Sequence, residues 1–317
     1  MRGEKLILVL GSGSVGSLYG GLLAVNNNDV ILLGRSLHIE VIRNNGLIIK
    51  GLFDFHVAPR FAGTFDYLYP TIEERCEEID YILVTTKAHQ TRAAAEEILP
   101  IVSKKAILIS IQNGLGTEDI LKELYPENTV LRGITSIGVN RPEPGIIDFT
   151  SEGQIHLGYL TEEEKEKAQA FLKLLTKSGL QTKLTNNIQG TVFSKLIINC
   201  ALNPLTALNK VKNKVILEDE KLKEEAISLA TEAWNVAKKL EIKLPAKNPI
   251  EYMFEIIQNT GENQNSMLDD ILNKRKTEID FLNGKIISLG EKLDVDVTHN
   301  KEIYDKIHSI ENSFFEV

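Results

Sequence analysis

The sequence has few of the residues that build disulfides and metal sites. Among its 317 residues are two cysteines, Cys76 and Cys200, and six histidines. The cysteines lie far apart and outside any Cys-x-x-Cys or Cys/His spacing, and the histidines form no His-Glu-x-x-His or His-x-His pair. We therefore predict neither a disulfide framework nor a metal site. Scarce, unpatterned cysteine is typical of a reducing, cytoplasmic setting.

Positive charge is also scarce. The chain has 44 acidic and 36 basic residues, which gives a formal net charge of −8 at pH 7. A surface that binds nucleic acid needs a basic patch, and the two short basic runs, 210–214 and 274–276, fall on predicted helix surfaces where lysine is solvated. The composition therefore argues against a nucleic-acid partner.

A long uncharged stretch, residues 6–25, superficially resembles the core of a secretory signal peptide. A signal core is a continuous apolar helix. Here the β-like run at residues 6–10 stops at a glycine-rich segment, and a different apolar spacing follows it. We interpret the stretch as a strand and a helix of a folded domain, and we expect no membrane association.

The chain shows no internal repeat, low-complexity tract or Pro/Gly-rich linker, although its length suits about two domains. Short aliphatic runs alternate with helical patterns in the first half, which is the rhythm of a parallel sheet covered on both faces. Two further strand-like pieces, 154–158 and 180–184, flank a helical pattern. The pattern is helical from there to the end. We predict an α/β domain at residues 1–185 and an all-helical domain at residues 186–317.

A glycine-rich hexapeptide joins the first predicted strand to the first predicted helix. Its residues are Gly11, Ser12, Gly13, Ser14, Val15 and Gly16. The Gly-x-Gly-x-x-Gly spacing permits a tight turn, a close approach of the backbone to a pyrophosphate, and close helix–strand packing. We therefore predict that residues 1–185 are a Rossmann-type dinucleotide-binding domain with these six residues at the cofactor. The alternative is a plain strand-to-helix turn.

Gly34-Arg35 follows the second predicted strand, where NAD-binding folds usually place an Asp or Glu for the ribose hydroxyls. An arginine suits the 2′-phosphate of NADP(H), because its guanidinium matches phosphate geometry. We therefore predict NADP(H) as the cofactor and Arg35 as one of its contacts. The alternative is an exposed arginine that has no partner.

The segment SKLIINCALNPLTAL, residues 194–208, is an apolar helical pattern with a polar residue at every fourth position. Steps of four keep helical side chains within about 40° of one another. Lys195, Asn199 and Asn203 therefore form one polar stripe, which must face a polar cavity or buried partners. The structural alternative is a hydrogen-bonded strut, and a buried lysine in it needs a carboxylate.

A proline follows the polar stripe. Pro204 cannot donate a hydrogen bond to the carbonyl of Cys200, and its ring disfavours helical geometry at Asn203. We predict a kink or a helix end at this point.

A candidate carboxylate for the lysine occurs downstream. We predict that Ser266 is the N-cap of a helix with Asp269 and Asp270 in its first turn. Glu278 would lie further along the same helix. The alternative for Glu278 is a solvated helix face.

The chain resembles the ketopantoate reductase family from Leu6 to about Ile310. The resemblance rests on six segments in order: GSGSVG, GR after the second strand, VTTKAHQ, QNGLGTED, SKLIINCALNPLTAL and NSMLDDILNKRKTEIDFLNG. The last two segments are far more specific than the glycine loop. The resemblance implies an enzyme in which NADPH delivers hydride to the ketone of ketopantoate and gives pantoate for the coenzyme A pathway.

The resemblance also implies roles for particular residues. Lys195 would be the general acid, and Glu278 its carboxylate partner and a substrate contact. The other implied positions are Asn199, Asn203 and Ser266 at the substrate, Asn113 between nicotinamide and substrate, and Lys87 at the cofactor. A protonated lysine suits this reaction because hydride arrival turns a carbonyl into an alkoxide, and no metal is then required.

Three readings of function follow. The first is reduction of ketopantoate, a small 2-oxo acid, and a homodimer is compatible with it. The second is a related dehydrogenase for another branched 2-oxo or 3-hydroxy acid, since Asn265 stands where the family often has serine. The third is a catalytically silent NADP(H)-binding sensor. The presence of both Lys195 and Glu278 favours an enzyme, because a sensor needs no acid and no partner for it.

Overall fold

The computed structural model describes residues 5–35 and 37–314, and the chain divides into two compact units. One unit comprises Met1–Gln112 and Gly116–Ile188, and we call it the α/β unit. The other comprises Asn113–Leu115 and Gln189–Val317, and we call it the helical unit.

The α/β unit alternates strands and helices. Its strands are β1 (Leu6–Leu10), β2 (Asp29–Leu33), β3 (Leu47–Gly51), β4 (Phe55–Val57), β5 (Phe61–Gly63), β6 (Ile79–Val84), β7 (Ile107–Ser110), β8 (Val130–Thr135), β9 (Gly138–Glu143), β10 (Ile146–Ser151), β11 (Gln154–Gly158) and β12 (Gln181–Thr185). Its α-helices are α1 (Ser14–Val25), α2 (Leu37–Asn45), α3 (Phe65–Glu73), α4 (Thr91–Ile98), α5 (Thr117–Leu124) and α6 (Glu162–Lys177). Short 3₁₀ turns occur at Cys76–Glu78, Ala88–Gln90 and Leu99–Ile101.

The main sheet has eight strands in the order β12-β11-β8-β7-β6-β1-β2-β5. Six neighbouring strands of this sheet, in the order β8-β7-β6-β1-β2-β5, are parallel, as the alternating pattern predicts. The two later strand-like pieces are β11 and β12, which pair parallel with each other, while β11 joins β8 in the antiparallel sense. The predicted fold class, an N-terminal Rossmann-type domain followed by helices, is confirmed.

Strand β1 shows that both faces of the main sheet are covered. Ile7 and Val9 belong to one buried cluster, together with side chains of α1. Leu6, Leu8 and Leu10 belong to another, together with side chains of α3 and α4. All five side chains of β1 are buried, which explains why this strand reads as a continuous apolar run.

A second sheet, which the sequence analysis did not predict, has four strands in the order β4-β3-β10-β9. Its parallel pair joins strands far apart in the chain, since Ile48 of β3 pairs with Ile146 of β10. Helix α1 packs against it, and a methyl group at Gly21 would contact Leu47 and Ile49. Short strands with distant partners leave little local signal in a sequence.

The helical unit has no strand among its described residues. Its α-helices are α7 (Ile188–Asn209), α8 (Val215–Glu218), α9 (Glu220–Lys239), α10 (Pro249–Asn259), α11 (Ser266–Leu272), α12 (Asn283–Leu293) and α13 (Thr298–Ser313), with a 3₁₀ turn at Ile279–Phe281. Within the described part of the chain, α7 alone is long and apolar enough to cross a membrane, but most of it is buried in the protein. Its apolar residues instead form the core of this unit.

The predicted continuous helix from Ser266 through Glu278 is wrong. Helix α11 ends at Leu272, and Lys274 adopts the left-handed conformation with φ 51°. That conformation stops the helical hydrogen-bond pattern. A turn at residues 273–278 therefore separates α11 from the segment that carries Glu278.

Of the two predicted outcomes at Pro204, a kink or a helix end, the helix end is wrong, because α7 continues to Asn209. The kink stays a prediction. The proline does leave the carbonyl of Cys200 without its helical donor. The buried amide of Asn283 supplies the missing hydrogen bond, with Nδ2 2.9 Å from the Cys200 oxygen. A side chain of α12 thus replaces the backbone N–H that α7 lacks.

Asn283 also begins a buried polar chain that links four helices. Its Nδ2 donates to Asn300 Oδ1 of α13 at 2.9 Å. Asn300 Nδ2 in turn donates to Glu232 Oε2 of α9 at 2.7 Å. Because each partner is far from solvent, the chain stabilises one arrangement of α7, α9, α12 and α13.

We expect Asn283→Ala to lower the free energy of unfolding by about 2–4 kcal/mol, because it leaves two buried acceptors unpaired. In a Pro204→Ala background the new N–H of residue 204 can donate to Cys200. The cost of Asn283→Ala should then shrink by about 1 kcal/mol or more. Denaturant unfolding of the four proteins in this cycle measures the coupling.

Asn209→Ala is the matched control for this cycle. Asn209 Nδ2 also donates to a carbonyl of α7, that of Leu205, but Asn209 is exposed. Its loss should cost little and should show no coupling to Pro204. Additive effects of Asn283→Ala and Pro204→Ala would contradict the proposed replacement of the missing N–H.

Candidate active site

Helix α7 carries the predicted polar stripe. Lys195 and Asn199 are half-buried, and Asn203 is buried. The residues between them are apolar and buried, so the stripe is the polar face of an otherwise apolar helix. It therefore places three hydrogen-bonding side chains on one face of a helix whose neighbouring residues are apolar.

Asn113 bridges Lys195 and Glu278. Lys195 Nζ donates to Asn113 Oδ1 at 2.9 Å, and Asn113 Nδ2 donates to Glu278 Oε2 at 3.1 Å. An amide suits this position because its oxygen accepts from an ammonium while its nitrogen donates to a carboxylate. The three residues are far apart in the sequence, yet they form one hydrogen-bonded chain of cation, amide and anion.

Asn113 is held by the residues that follow it. Leu115 N donates to the carbonyl of Phe281 at 3.1 Å. Gly114 has φ 77°, and a Cβ there would overlap the backbone of Phe281. Only glycine allows the Asn-Gly segment to lie so close to the turn that follows Glu278.

Glu278 occupies a different setting from the one predicted. It directly precedes the 3₁₀ turn Ile279–Phe281 and does not lie on the helix of Ser266. Its side chain is only 6% exposed, which contradicts the solvated-face alternative. The apolar Ile279 and Leu282 beside it were the signal for this burial.

Ser266 is not the N-cap of α11. The N-cap is Asn265, whose side chain accepts from Leu268 N at 3.1 Å, and Ser266 is the first helical residue. Asn265 Nδ2 also donates to Thr206 Oγ1 on α7, one turn beyond Asn203. The start of α11 therefore lies against α7 about one turn beyond the last residue of the polar stripe. Sequence reasoning missed Asn265 because asparagine and serine are both good N-caps.

The glycine loop of the α/β unit has a geometry that fits a dinucleotide. Gly11 has φ 99°, and a Cβ at Gly16 would overlap the carbonyl of Gly11 and Thr85 Oγ1. A Cβ at Gly13, in contrast, would meet nothing within 4 Å, so the backbone is open to a close ligand. Ser14 and Val15 begin α1, where the first backbone N–H groups have no partner within the helix.

The glycine loop is tied to the end of β2. Ser12 Oγ donates to the carbonyl of Leu33 at 2.9 Å, and the backbone N–H of Ser12 donates to the same oxygen at 2.8 Å. Gly11 N also donates to it, at 3.1 Å. The loop therefore lies beside the Gly34-Arg35 pair that follows β2, and a Cβ at Gly34 would contact Ser12.

His38 is linked to the glycine loop by hydrogen bonds through Ser17. Gly145 N donates to His38 Nδ1 at 2.8 Å, so the proton lies on Nε2, which donates to Ser17 Oγ at 2.8 Å. Ser17 Oγ donates to the carbonyl of Ser12 at 3.3 Å. Burial, together with the charge of Arg141, lowers the pKa of His38 to about 4, so the ring is neutral near pH 7.

The two predicted cationic cofactor contacts are both in the α/β unit. Arg35 is 68% exposed and pairs with Glu97, with Nη2 2.7 Å from Oε2. The predicted alternative, an exposed arginine without a partner, is correct about the exposure and wrong about the partner, because α4 supplies a carboxylate. Lys87 is half-buried and directly precedes the 3₁₀ turn Ala88–Gln90. No cluster of three or more metal-ligating side chains occurs in the described ranges.

A dinucleotide-binding fold followed by a helical unit with a lysine–amide–carboxylate chain defines a two-domain oxidoreductase. The chain belongs to the ketopantoate reductase family. The family model "Ketopantoate reductase PanE/ApbA" matches residues 7–162, and the model "Ketopantoate reductase PanE/ApbA C terminal" matches residues 187–311.

Curated relatives support this family, and solved structures share the fold. The 2-dehydropantoate 2-reductase of Pyrococcus horikoshii is 34% identical over 294 residues, which is 93% of each chain. That of Archaeoglobus fulgidus is 28% identical over 98% of this chain and 99% of its own. A PanE/ApbA family ketopantoate reductase from Ralstonia eutropha has the same fold, with a TM-score of 0.88, 24% identity and coverage of 98% and 99%. D-mandelate dehydrogenase, solved with NADH and anilino(oxo)acetate, also has this fold, with a TM-score of 0.88, 24% identity and coverage of 98% of this chain and 99% of its own.

Proposed function

We propose that the protein reduces ketopantoate to pantoate with NADPH, and that Lys195 is the general acid. The observation that carries this proposal is the chain of Lys195, Asn113 and Glu278 in a member of the ketopantoate reductase family. Curated relatives that match nearly the whole chain are named 2-dehydropantoate 2-reductase.

The bridging geometry suits proton donation. A bound NADPH would supply the hydride to the ketone carbon, and the carbonyl oxygen would then gain a negative charge. Lys195 stabilises that charge and donates a proton from Nζ to the oxygen, which completes the alcohol. Asn113 orients the ammonium, and Glu278 orients Asn113 through the second hydrogen bond. Orientation of this kind lowers the cost of reaching the reactive arrangement.

The substrate contacts in this proposal are Asn199, Asn203 and Ser266. The two amides follow Lys195 on the same face of α7. The Asn265–Thr206 hydrogen bond brings the start of α11 to the same helix. Amide and hydroxyl groups can bind both the carboxylate and the hydroxyl of ketopantoate, and they give orientation without adding charge.

We also propose a cytoplasmic setting and a homodimer. Both cysteines are free, and burial raises the pKa of the Cys200 thiol well above its usual range. A protein without disulfides suits a reducing compartment. The homodimer is proposed only as an assembly that is compatible with this reaction.

We expect ketopantoate to give the highest kcat/KM in a panel of 2-oxo acids assayed by NADPH oxidation. The panel should include pyruvate, oxaloacetate and other branched 2-oxo acids. An unbranched acid that is about tenfold better, roughly 1.4 kcal/mol, would refute ketopantoate as the substrate and keep the reductase. No turnover of any 2-oxo or 3-hydroxy acid, with NADPH still bound, would favour a sensor.

We expect Lys195→Ala to lower the rate of hydride transfer by about 10²–10⁴-fold and to change NADPH binding little, because it removes the proton donor. A lysine that serves only as a buried strut predicts another outcome. Its loss would cost about 3–5 kcal/mol of stability, while activity per folded molecule persists. Thermal unfolding and single-turnover kinetics separate the two, and a folded variant with more than about a tenth of the wild-type kcat would overturn the catalytic role.

We propose a preference for NADP(H) over NAD(H) because Arg35 follows β2, where NAD-binding folds usually have an acidic residue. We expect Arg35→Ala to weaken NADPH binding by roughly 10- to 150-fold and NADH binding little, because one charge-assisted hydrogen bond is worth about 1.5–3 kcal/mol. Fluorescence titration with each cofactor measures this.

Glu97→Gln is the matched variant for Arg35→Ala. It frees Arg35 from its carboxylate partner, so NADPH should bind equally well or up to about fivefold more tightly. Equal losses for NADPH and NADH in Arg35→Ala would show that Arg35 does not read the phosphate.

A further inference from the structure

The turn that carries Glu278 lacks a regular hydrogen-bond pattern of its own. Residues 273–278 connect α11 to the 3₁₀ turn Ile279–Phe281, and Lys274 at its start is left-handed. A segment of this kind holds a fixed position only where other elements bind it. Its first residues are bound by α11, where Arg275 N donates to the carbonyl of Asp270 at 2.8 Å and the Arg275 side chain pairs with Asp270. The contacts that bind its last residues, next to Glu278, come from α13, far along the chain.

Glu311 of α13 binds the residue before Glu278. Its Oε1 accepts from the backbone N–H of Thr277 at 2.7 Å. Thr277 is fully buried and Glu311 is 3% exposed. Thr277 Oγ1 in turn accepts from Ile279 N at 3.2 Å, which closes the backbone around Glu278. A buried carboxylate makes a stronger hydrogen bond to a backbone N–H than a neutral acceptor does.

Two other residues of α13 bind the residue two positions after Glu278. Tyr304 Oη donates to Asp280 Oδ1 at 2.8 Å, and His308 Nε2 lies 2.9 Å from the same oxygen. Lys276 Nζ lies 3.1 Å from Asp280 Oδ2. Burial opposes ionisation of Asp280, but these three groups hold its pKa below the usual value. The carboxylate is therefore charged near pH 7 and keeps all three partners.

His308 connects the two anchored points. Its Nδ1 is 3.4 Å from Glu311 Oε2, while its Nε2 faces Asp280. Tyr304, His308 and Glu311 follow one another at helical spacings of four and three, so they share one face of α13. We call these three residues the α13 clamp.

We propose that the α13 clamp positions the carboxylate of Glu278 on Asn113 and thereby orients the proton donor Lys195. The clamp holds Thr277 on one side of Glu278 and Asp280 on the other, so it determines where the side chain of Glu278 begins. Its members are positioning residues. The inference rests on the proposed function, because it assigns them to the same proton transfer.

Glu232 is a matched control within the helical unit. It is also a buried glutamate that accepts backbone N–H groups of α13, those of His299 and Asn300, each at 2.9 Å. It belongs to the polar chain at the start of α13, and its hydrogen-bond donors are His299 and Asn300, not residues of the turn at 273–278. Loss of Glu232 or Glu311 therefore removes a similar interaction, but only Glu311 acts on the turn of Glu278.

The experiment compares Glu311→Ala with Glu232→Ala in the full-length protein. Both variants should lower the Tm. Glu311→Ala should also slow single-turnover hydride transfer by roughly 10- to 100-fold, because small misplacements of a catalytic set have effects of this size. The basic limb of its kcat/KM profile should move to lower pH, since a displaced Glu278 no longer favours the protonated lysine. Glu232→Ala should keep the rate within a few-fold and the limb in place.

A second comparison tests whether Glu311 acts through Glu278. In a Glu278→Gln background, Glu311→Ala should slow hydride transfer little further, because its target is already lost. If the two substitutions slow hydride transfer by independent factors, the inference is overturned. It is also overturned if Glu311→Ala leaves the basic limb in place and reacts as fast as Glu232→Ala. Amide hydrogen exchange at Thr277 should be fast in Glu311→Ala and unchanged in Glu232→Ala, and equal protection in both would also overturn it.

Tyr304→Phe is the milder variant if Glu311→Ala does not fold. It removes only the hydroxyl that binds Asp280, so it should fold, move the basic limb in the same direction and slow the reaction several-fold. A wild-type rate and limb in Tyr304→Phe would count against the clamp. Failure of the proposed function has a separate signature, namely a wild-type protein that reduces no 2-oxo acid.

Discussion

The positive charge of Lys195 is the constraint on which the helical unit depends. A lysine in the middle of an apolar helix must meet a partner, since an unpaired charge in a core is costly. The partner is Asn113, which the chain delivers from the loop after β7, and Asn113 in turn meets Glu278. The segment Asn113–Leu115 accordingly belongs to the helical unit, although it lies within the α/β half of the sequence.

Polar groups elsewhere in the helical unit follow the same requirement. Pro204 removes one backbone donor from α7, and Asn283 restores a hydrogen bond to the buried carbonyl of Cys200, which lacks its helical donor. Asn283 then binds Asn300, and Asn300 binds Glu232. Because every group in this chain must keep its partner, the helices that carry them can pack in few other ways.

Helix α13 contacts both the buried polar chain and the residues on either side of Glu278. Its first turn receives the buried polar chain through Asn300, and its later turns hold Thr277 and Asp280 on either side of Glu278. In the α/β unit, by contrast, the residues that fit a dinucleotide follow one another in the sequence. The glycine loop and Arg35 are linked by the short β1–α1–β2 segment and by the carbonyl of Leu33.

The sequence by itself determined the features that arise within a few residues of one another. These are the buried strands of the parallel sheet, the turn that requires Gly11 and Gly16, and the stripe at every fourth residue of α7. Only the tertiary structure decided the second sheet, the break at Lys274, the continuation of α7 through Pro204 and the burial of Glu278. Each of these depends on partners that are distant in the chain, and local propensities carry no information about such partners. The motifs named the chemical groups of the candidate site, but long-range hydrogen bonds arranged them.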